Sequence, residues 1–182
     1  VVMRVPENMQ RTPGKIKVDF LKATARQALK LSADKSGIIL GNLHKNENGA
    51  PLPFDNYYWS LSHKPNYVAA VISRHPIGID VEEIKPRNES LFNYVASTDE
   101  WQLCNEKSWQ TFFRYWTAKE ALSKADGTGI GGLKRCKVVS VPSQTQINLE
   151  YNGHMFNVEQ LYHDNHIVSV VKGNNHIEWV IT

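Results

Sequence analysis

The feature that most constrains this chain is an order of elements that occurs twice, a helix followed by apolar strands. Val18 to Leu31 is predicted as an amphipathic helix, with Val18, Leu21, Ala25 and Ala28 on one face and Asp19, Lys22, Arg26 and Lys30 largely off it. Ser32-Ala33-Asp34-Lys35-Ser36-Gly37 breaks that period. Strands are predicted at Tyr57–Ser62 and Tyr67–Ser73, around a His63-Lys64-Pro65-Asn66 turn, and again at Ile77–Glu82. Ser97-Thr98-Asp99-Glu100 has the form of a capping box opening a short helix. The second long helix is predicted from Ser108 to about Ala125 and ends at Gly127. From Val138 the pattern is strand-rich, with turns at Asn152-Gly153 and Gly173-Asn174-Asn175. The two stretches echo each other in one place: Asn66 to Ile72 resembles Asn165 to Val171. Two apolar strands can look alike by chance, so a duplication and a coincidence both stand at this point.

At 182 residues the chain is long enough for one domain or for two small halves sharing a core. Apolar residues make up 41% and charged residues 21%, which excludes bulk disorder. Two cysteines, Cys104 and Cys136, exclude a disulfide framework and a cysteine-built zinc site. No apolar run approaches the roughly 20 residues that span a bilayer, and the first residues lack the apolar stretch of a signal peptide. The expectation is a cytoplasmic protein without a membrane partner. The chain does not begin with Met, and its start is read as trimmed or as a remnant.

The net charge of +3 is too slight to argue for a nucleic-acid partner, but it hides a split. Residues 1–45 carry nine basic side chains against three acidic, a net of +6, while residues 77–106 carry seven acidic against two basic, a net of −5. A basic lobe beside an acidic stretch suits an anionic ligand held partly through a divalent cation. Solvated helix faces of opposite sign would give the same split.

Three segments carry chemistry. In Ile77-Gly78-Ile79-Asp80-Val81-Glu82, alternation places Ile77, Ile79 and Val81 on one strand face and Gly78, Asp80 and Glu82 on the other. Two carboxylates two residues apart on a strand can converge on one cation, and Gly78 leaves room beside them for a ligand. An exposed strand face would read the same way. In the second helix, Trp109, Phe112, Phe113 and Trp116 form an aromatic stripe, and Glu120 and Lys124 continue from Trp116 on a face that begins buried. The plainer reading is an exposed ion pair four residues apart. His63 closes a strand at a turn, beside Ser62 and Lys64, where these groups could donate to phosphate oxygens. A turn histidine without a role is the alternative.

Together these segments resemble the Sfp-type 4′-phosphopantetheinyl transferases of the holo-acyl-carrier-protein synthase superfamily. That family shows a Ser-His segment before a strand, then Gly-(Ile/Val)-Asp-(Ile/Val)-Glu, then Trp-x-x-Lys-Glu-(Ala/Ser)-x-x-Lys. This chain has Leu61-Ser62-His63, Gly78-Ile79-Asp80-Val81-Glu82 and Trp116-Thr117-Ala118-Lys119-Glu120-Ala121-Leu122-Ser123-Lys124, in that order and at about the family's separation. Gly127-Thr128-Gly129-Ile130 matches the Gly-rich stretch that follows. The resemblance runs from about Lys15 to Val171.

It implies Mg²⁺-dependent transfer of 4′-phosphopantetheine from coenzyme A to a serine of an apo acyl or peptidyl carrier protein, with 3′,5′-ADP released. It implies Asp80, Glu82 and Glu120 as metal ligands, and Glu120 as the base for the carrier serine, directly or through a water. Lys119 and Lys124 would bind phosphate oxygens, with Lys124 steadying or protonating the departing ADP. Ser62 and His63 would contact the coenzyme A phosphates, and Lys15 falls where the family has an Arg for the adenosine 3′-phosphate. Gly49-Ala50-Pro51 departs from the family's Gly-Lys-Pro, which puts coenzyme A affinity in question. The expected fold is α+β, two similar halves related by a pseudo-twofold with the active site between them. The halves are taken as 1–100, carrying the phosphate-binding groups and the Asp-x-Glu strand, and 101–182, carrying the Trp-x-x-Lys-Glu helix and strands. They are read as one cooperative unit and a monomer. A non-catalytic module binding a carrier protein or coenzyme A, and a Mg²⁺-dependent phosphohydrolase, are the alternatives.

Overall fold

The structure, a computed structural model, describes residues 1–47, 49–104, 106–127, 133 and 135–182. Among them are two antiparallel sheets. The first holds β1 (Val2–Arg4), β2 (Tyr58–His63) and β3 (Tyr67–Ser73) in the order β1-β3-β2. The second holds β4 (Ile79–Glu83), β5 (Lys137–Ser143), β6 (Gln146–Tyr151), β7 (His154–His163) and β8 (His166–Val171) in the order β4-β8-β7-β6-β5. The helices are α1 (Glu7–Gln10), α2 (Gly14–Lys35), α3 (Leu91–Val95), α4 (Thr98–Trp101) and α5 (Trp109–Asp126). The class is α+β, as the order of elements predicts.

Side-chain alternation explains how the layers stack. On β3, Val68, Ala70 and Ile72 point into a core with Leu21, Ala25, Ala28 and Leu29 of α2. The other face, Tyr67, Ala69 and the partly buried Val71, packs with Ile79 and Val81 of β4 and Val168 and Val170 of β8. On β8, Ile167 and Val171 turn the opposite way, into a core with Phe112, Ala118, Ala121 and Leu122 of α5. The layers are therefore α2, first sheet, second sheet, α5. Both β3 and β8 are covered on two faces, which is why each reads as an almost continuous apolar run rather than as an alternation. The two echoing segments are these two strands, and the matching residues Tyr67 and His166 meet edge-on, with ring centroids 4.8 Å apart.

Three expectations need correction here. The first helix is longer than predicted, Gly14 to Lys35, and its buried stripe runs through Leu21, Thr24, Ala25, Ala28, Leu29, Ser32 and Ala33. The small Ser32 and Ala33 continue the packed face instead of breaking it, whereas Val18, one turn before Leu21, is left exposed. The boundary at residue 100 does not follow the sheets, because β4 pairs with β8 and so belongs with the later strands. Phe92, Val95 and Trp101 of α3 and α4 likewise join the α5 core. At the other end the last residues return to the first sheet: Val2 N–H donates to Val180 O at 2.8 Å and Arg4 N–H to Thr182 O at 2.7 Å. The third correction concerns Gly78 and is taken with the site it shapes.

The second helix is as predicted. The Ser108 hydroxyl accepts from the Thr111 N–H at 3.3 Å, and Gly127 ends the helix at φ 73°, a left-handed conformation that costs glycine little. Thr128, Gly129 and Ile130 of the Gly-rich stretch lie outside the described residues. The capping box forms at Ser97 and Glu100. Both Cys104 and Cys136 are free thiols. Among the described residues, no helix is long and apolar enough to cross a membrane.

Candidate active site

The site lies where two sheet edges meet. β2 is an edge of the first sheet and β4 an edge of the second. Unpaired edge groups need partners, and side chains supply them. The Ile79 N–H donates to Ser60 Oγ at 3.1 Å and the Val81 N–H to Ser62 Oγ at 3.3 Å. Lys124 reaches across from α5, donating to Leu61 O at 3.4 Å, Ile79 O at 3.1 Å and Asp80 Oδ1 at 2.8 Å. One lysine thus ties both sheets to the helix.

Gly78 sets how close that helix comes. A Cβ on Gly78 would stand 1.9 Å from Ala121 O and 2.7 Å from Ala125 N. The expected room for a ligand is taken by α5 itself. The glycine's absent side chain lets α5 lie directly on β4, and this brings Glu120 and Lys124 over Asp80.

The result is a cleft of about 320 Å³ lined by Leu61, Ser62, His63, Lys64, Asp80, Glu82, Trp116, Glu120 and Lys124. Asp80 and Glu82 are buried at its floor. Asp80 Oδ1 receives Lys124 and the Ser62 hydroxyl, both at 2.8 Å. Glu82 Oε1 receives Lys64 at 2.7 Å and the Trp116 indole N–H at 3.1 Å. Asp80 Oδ2 and Glu120 Oε1 are buried and have no hydrogen-bond partner among the described residues. Burial, followed by repulsion from Asp80, raises the Glu120 carboxyl above the usual range. Burial also raises Glu82, with Lys64 acting against it.

Two buried carboxylate oxygens without donors are costly to leave bare, and hard oxygen donors of this kind are what a divalent cation such as Mg²⁺ takes. In that respect the residues fit a divalent ion. Among the described residues, however, no three His, Cys, Asp or Glu side chains are already drawn together as a metal-ligand group. Lysines neutralise Asp80 and Glu82 instead.

Of the residues expected from the sequence, Ser62, His63, Asp80, Glu82, Glu120 and Lys124 line this one cleft. Ser62 points its hydroxyl at Asp80, so it orients that carboxylate rather than standing free for a phosphate. Lys119 does not join them, contrary to its expected phosphate role. It is 2% exposed, and its ammonium donates to Glu100 Oε1 at 2.6 Å and Val95 O at 2.7 Å. Adjacent residues on a helix face different ways, and Lys119 takes the core side while Glu120 takes the cleft. Lys15 is exposed at the start of α2 and is not among the residues lining the cleft.

Two lysines of the basic lobe were not singled out in the sequence. Partial burial holds the His63 imidazole below its usual value, and the ammonium groups of Lys124, Lys64, Lys22 and Lys45 add to the shift. Lys22 and Lys45 therefore stand close enough to be felt at the cleft mouth, yet neither lies in a motif. Lys45 faces Pro51 across a short bridge, next to Ala50. A larger cavity of about 440 Å³ lies between the C-terminal end of α2 and the last residues, but among the described residues Glu178 is the one acid lining it. Convergent chemistry, not volume, marks the smaller cleft.

Comparison with known proteins points the same way. The family model of the 4′-phosphopantetheinyl transferase superfamily matches residues 76–176. A putative 4′-phosphopantetheinyl transferase of Haemophilus influenzae is 32% identical over 134 residues, covering 69% of this chain and 56% of that protein. The 4′-phosphopantetheinyl transferase psf-1 of Bacillus pumilus is 36% identical over 89 residues, 46% of this chain and 38% of its own. The 4′-phosphopantetheinyl transferase HetI of Nostoc is 37% identical over 93 residues, 47% and 39% respectively. The matches thus span between 38% and 56% of these relatives' lengths.

Proposed function

This chain belongs to the 4′-phosphopantetheinyl transferase superfamily, and on that footing we propose that it moves the 4′-phosphopantetheine group from coenzyme A to a serine of an apo carrier protein, releasing 3′,5′-ADP. The observation that carries the reading is the convergence of Asp80, Glu82, Glu120 and Lys124 in one cleft, with two carboxylate oxygens there lacking a donor.

In this reading the basic mouth formed by His63, Lys64, Lys22 and Lys45 attracts the phosphates of coenzyme A. The acidic side chains Asp80, Glu82 and Glu120 would hold a divalent cation, Mg²⁺ by the family resemblance. When bound, such an ion supplies charge neutralisation for the pyrophosphate and the developing leaving group. The carrier serine oxygen attacks the phosphorus on the pantetheine side. A new oxygen–phosphorus bond forms, the bond to the bridging oxygen breaks, and the pair of electrons leaves on 3′,5′-ADP. Glu120 takes the serine proton directly or through a water. Lys124, held at 2.8 Å from Asp80, stabilises the ADP phosphate that leaves. The reading includes a monomer, since β2, β4 and α5 of one chain already assemble the cleft, and it is set in the cytoplasm.

The test is to incubate the protein with coenzyme A and Mg²⁺ and a panel of apo fatty-acid, polyketide and peptide carriers, then weigh the carriers. A gain of one phosphopantetheine arm on any of them is expected. Release of phosphate from coenzyme A without a modified carrier would replace this reading by hydrolysis.

A further inference from the structure

The cavity of about 440 Å³ lies across β4 from the cleft: Ile79 lines it, whereas the neighbouring Asp80 lines the cleft. Its floor is apolar. Val71, Ile77, Ile79 and Val170 line it and also belong to the core between the two sheets. The irregular end of the chain supplies the outer wall through Ile177 and Trp179. That wall is tied down. The Trp179 indole N–H donates to Glu159 Oε1 at 2.8 Å, the Val2 N–H to Val180 O at 2.8 Å, and the Ser73 hydroxyl to Asn175 Oδ1 at 3.0 Å. The space is therefore preformed, and its volume falls within the range of about 300–1,000 Å³ that small-molecule sites occupy.

The mouth is basic. Lys35, at the end of α2, stands 3.9 Å from Glu178 and is matched by it. Arg74 has no such match. Its guanidinium lies 5.3 Å from the centroid of the Tyr57 ring and pairs with no carboxylate among the described residues. His75 and His176 also line the mouth and bring no negative charge. We propose that this cavity binds a medium-chain aliphatic carboxylate, with its hydrocarbon beneath Trp179 and against Ile77, Ile79 and Val170, and its carboxylate on Arg74. An apolar floor under one unmatched cation is complementary to a molecule of that kind. The chain leaves water for an apolar surface, and the charge stays at the rim, where a guanidinium can donate two parallel N–H groups to it. A polyphosphate would bring further charges against the apolar floor, where they would be costly. The occupant and the proposed transfer use opposite faces of β4, so each is tested apart from the other.

The experiment uses the full chain with octanoate and 1-octanol as probes, each kept below its micelle or solubility limit. Titration calorimetry is expected to show saturable binding of octanoate at one site. Octanol, with the same chain and no charge, is expected to bind about tenfold more weakly, and Arg74→Glu to bind octanoate about tenfold more weakly than the parent, because a charge-assisted hydrogen bond is lost in both cases. Arg74 is exposed, so its replacement leaves the fold in place. Val71→Phe fills the floor and is expected to abolish octanoate binding in a chain that still melts cooperatively. A crystal grown with octanoate is expected to show the chain beneath Trp179 and the carboxylate on Arg74, a readout that needs no variant to fold. Absence of saturable binding overturns the proposal. So does octanol binding as tightly as octanoate, an Arg74→Glu protein that binds like the parent, or octanoate found only outside this cavity.

Discussion

Helix α5 carries two acid–lysine clusters that differ in one respect. On its core side Lys119 meets Glu100, and every oxygen of that carboxylate is used: Oε1 receives Lys119 at 2.6 Å and the Val138 N–H at 2.8 Å, and Oε2 receives the Ser97 N–H at 2.8 Å. On its cleft side Glu120 and Lys124 meet Asp80, and two oxygens are left without donors among the described residues. The first cluster knits α4, α5 and β5 into one unit. The second is buried, acidic and incomplete. A saturated polar cluster holds a fold, whereas an unsaturated one has a vacancy in its bonding that a ligand can fill.

The titration of the two clusters follows the same division. Burial would raise Glu100, but the Lys119, Ser97 and Val138 hydrogen bonds outweigh it and hold the carboxyl below its usual value. Glu120 and Glu82 shift upward. A depressed carboxyl contributes stability above its unfolded pKa and loses it as pH falls through the folded one. A raised carboxyl does the opposite, costing stability as pH rises through its folded value.

The sharpest break between the clusters should come from Glu120→Gln or Asp80→Ala. Either is expected to abolish transfer, by about a hundredfold to a thousandfold or more, while the chain still folds cooperatively. A carrier still gaining the arm at the parent rate would show that the unsaturated cluster is not the working one. Lys119→Met should act in reverse. Leaving Glu100 charged and alone in the core is expected to cost about 3–5 kcal/mol of stability, read by urea unfolding, and adding Glu100→Gln should recover much of it.

Gly78→Ala joins the two effects. Its Cβ would meet the backbone of α5 at Ala121 O, so the helix must shift, at about 1–3 kcal/mol or more. Glu120 moves with it, so transfer should fall together with stability, and loss of stability alone would mean that the spacing of α5 and β4 does not set the chemistry. Ser97→Ala removes the hydroxyl that caps α4 and should cost about 1 kcal/mol with transfer unchanged. The smallest effect is in pH. Between about pH 5 and pH 3, stability should fall more steeply in the parent than in Glu100→Gln.

Much of the site was legible because its chemistry sits on regular elements. The alternation of Ile79, Asp80, Val81 and Glu82 and the spacing of Trp116, Glu120 and Lys124 put on one face each the groups that the fold brings into one cleft. Lys119 was misread because its neighbours in a motif do not reveal which way it points. That depended on Glu100, a residue 19 positions earlier whose capping role was visible but whose second oxygen was not accounted for. Lys22 and Lys45 were counted in the basic lobe of residues 1–45, but no local pattern singles out which of its charges act across space on the cleft.

By itself the sequence determined the α+β class, the two long helices, the echoing strands β3 and β8 and the three motifs, all of them consequences of periodicity, caps and short-range order. Only the tertiary structure decided that β4 joins the later sheet rather than the first, because its ladder partner β8 lies more than eighty residues away. It alone turned Gly78 from room for a ligand into a seat for α5. It also separated a lysine that holds the core from a lysine that closes the cleft, since burial and bonding belong to the surroundings a residue meets after the chain has folded.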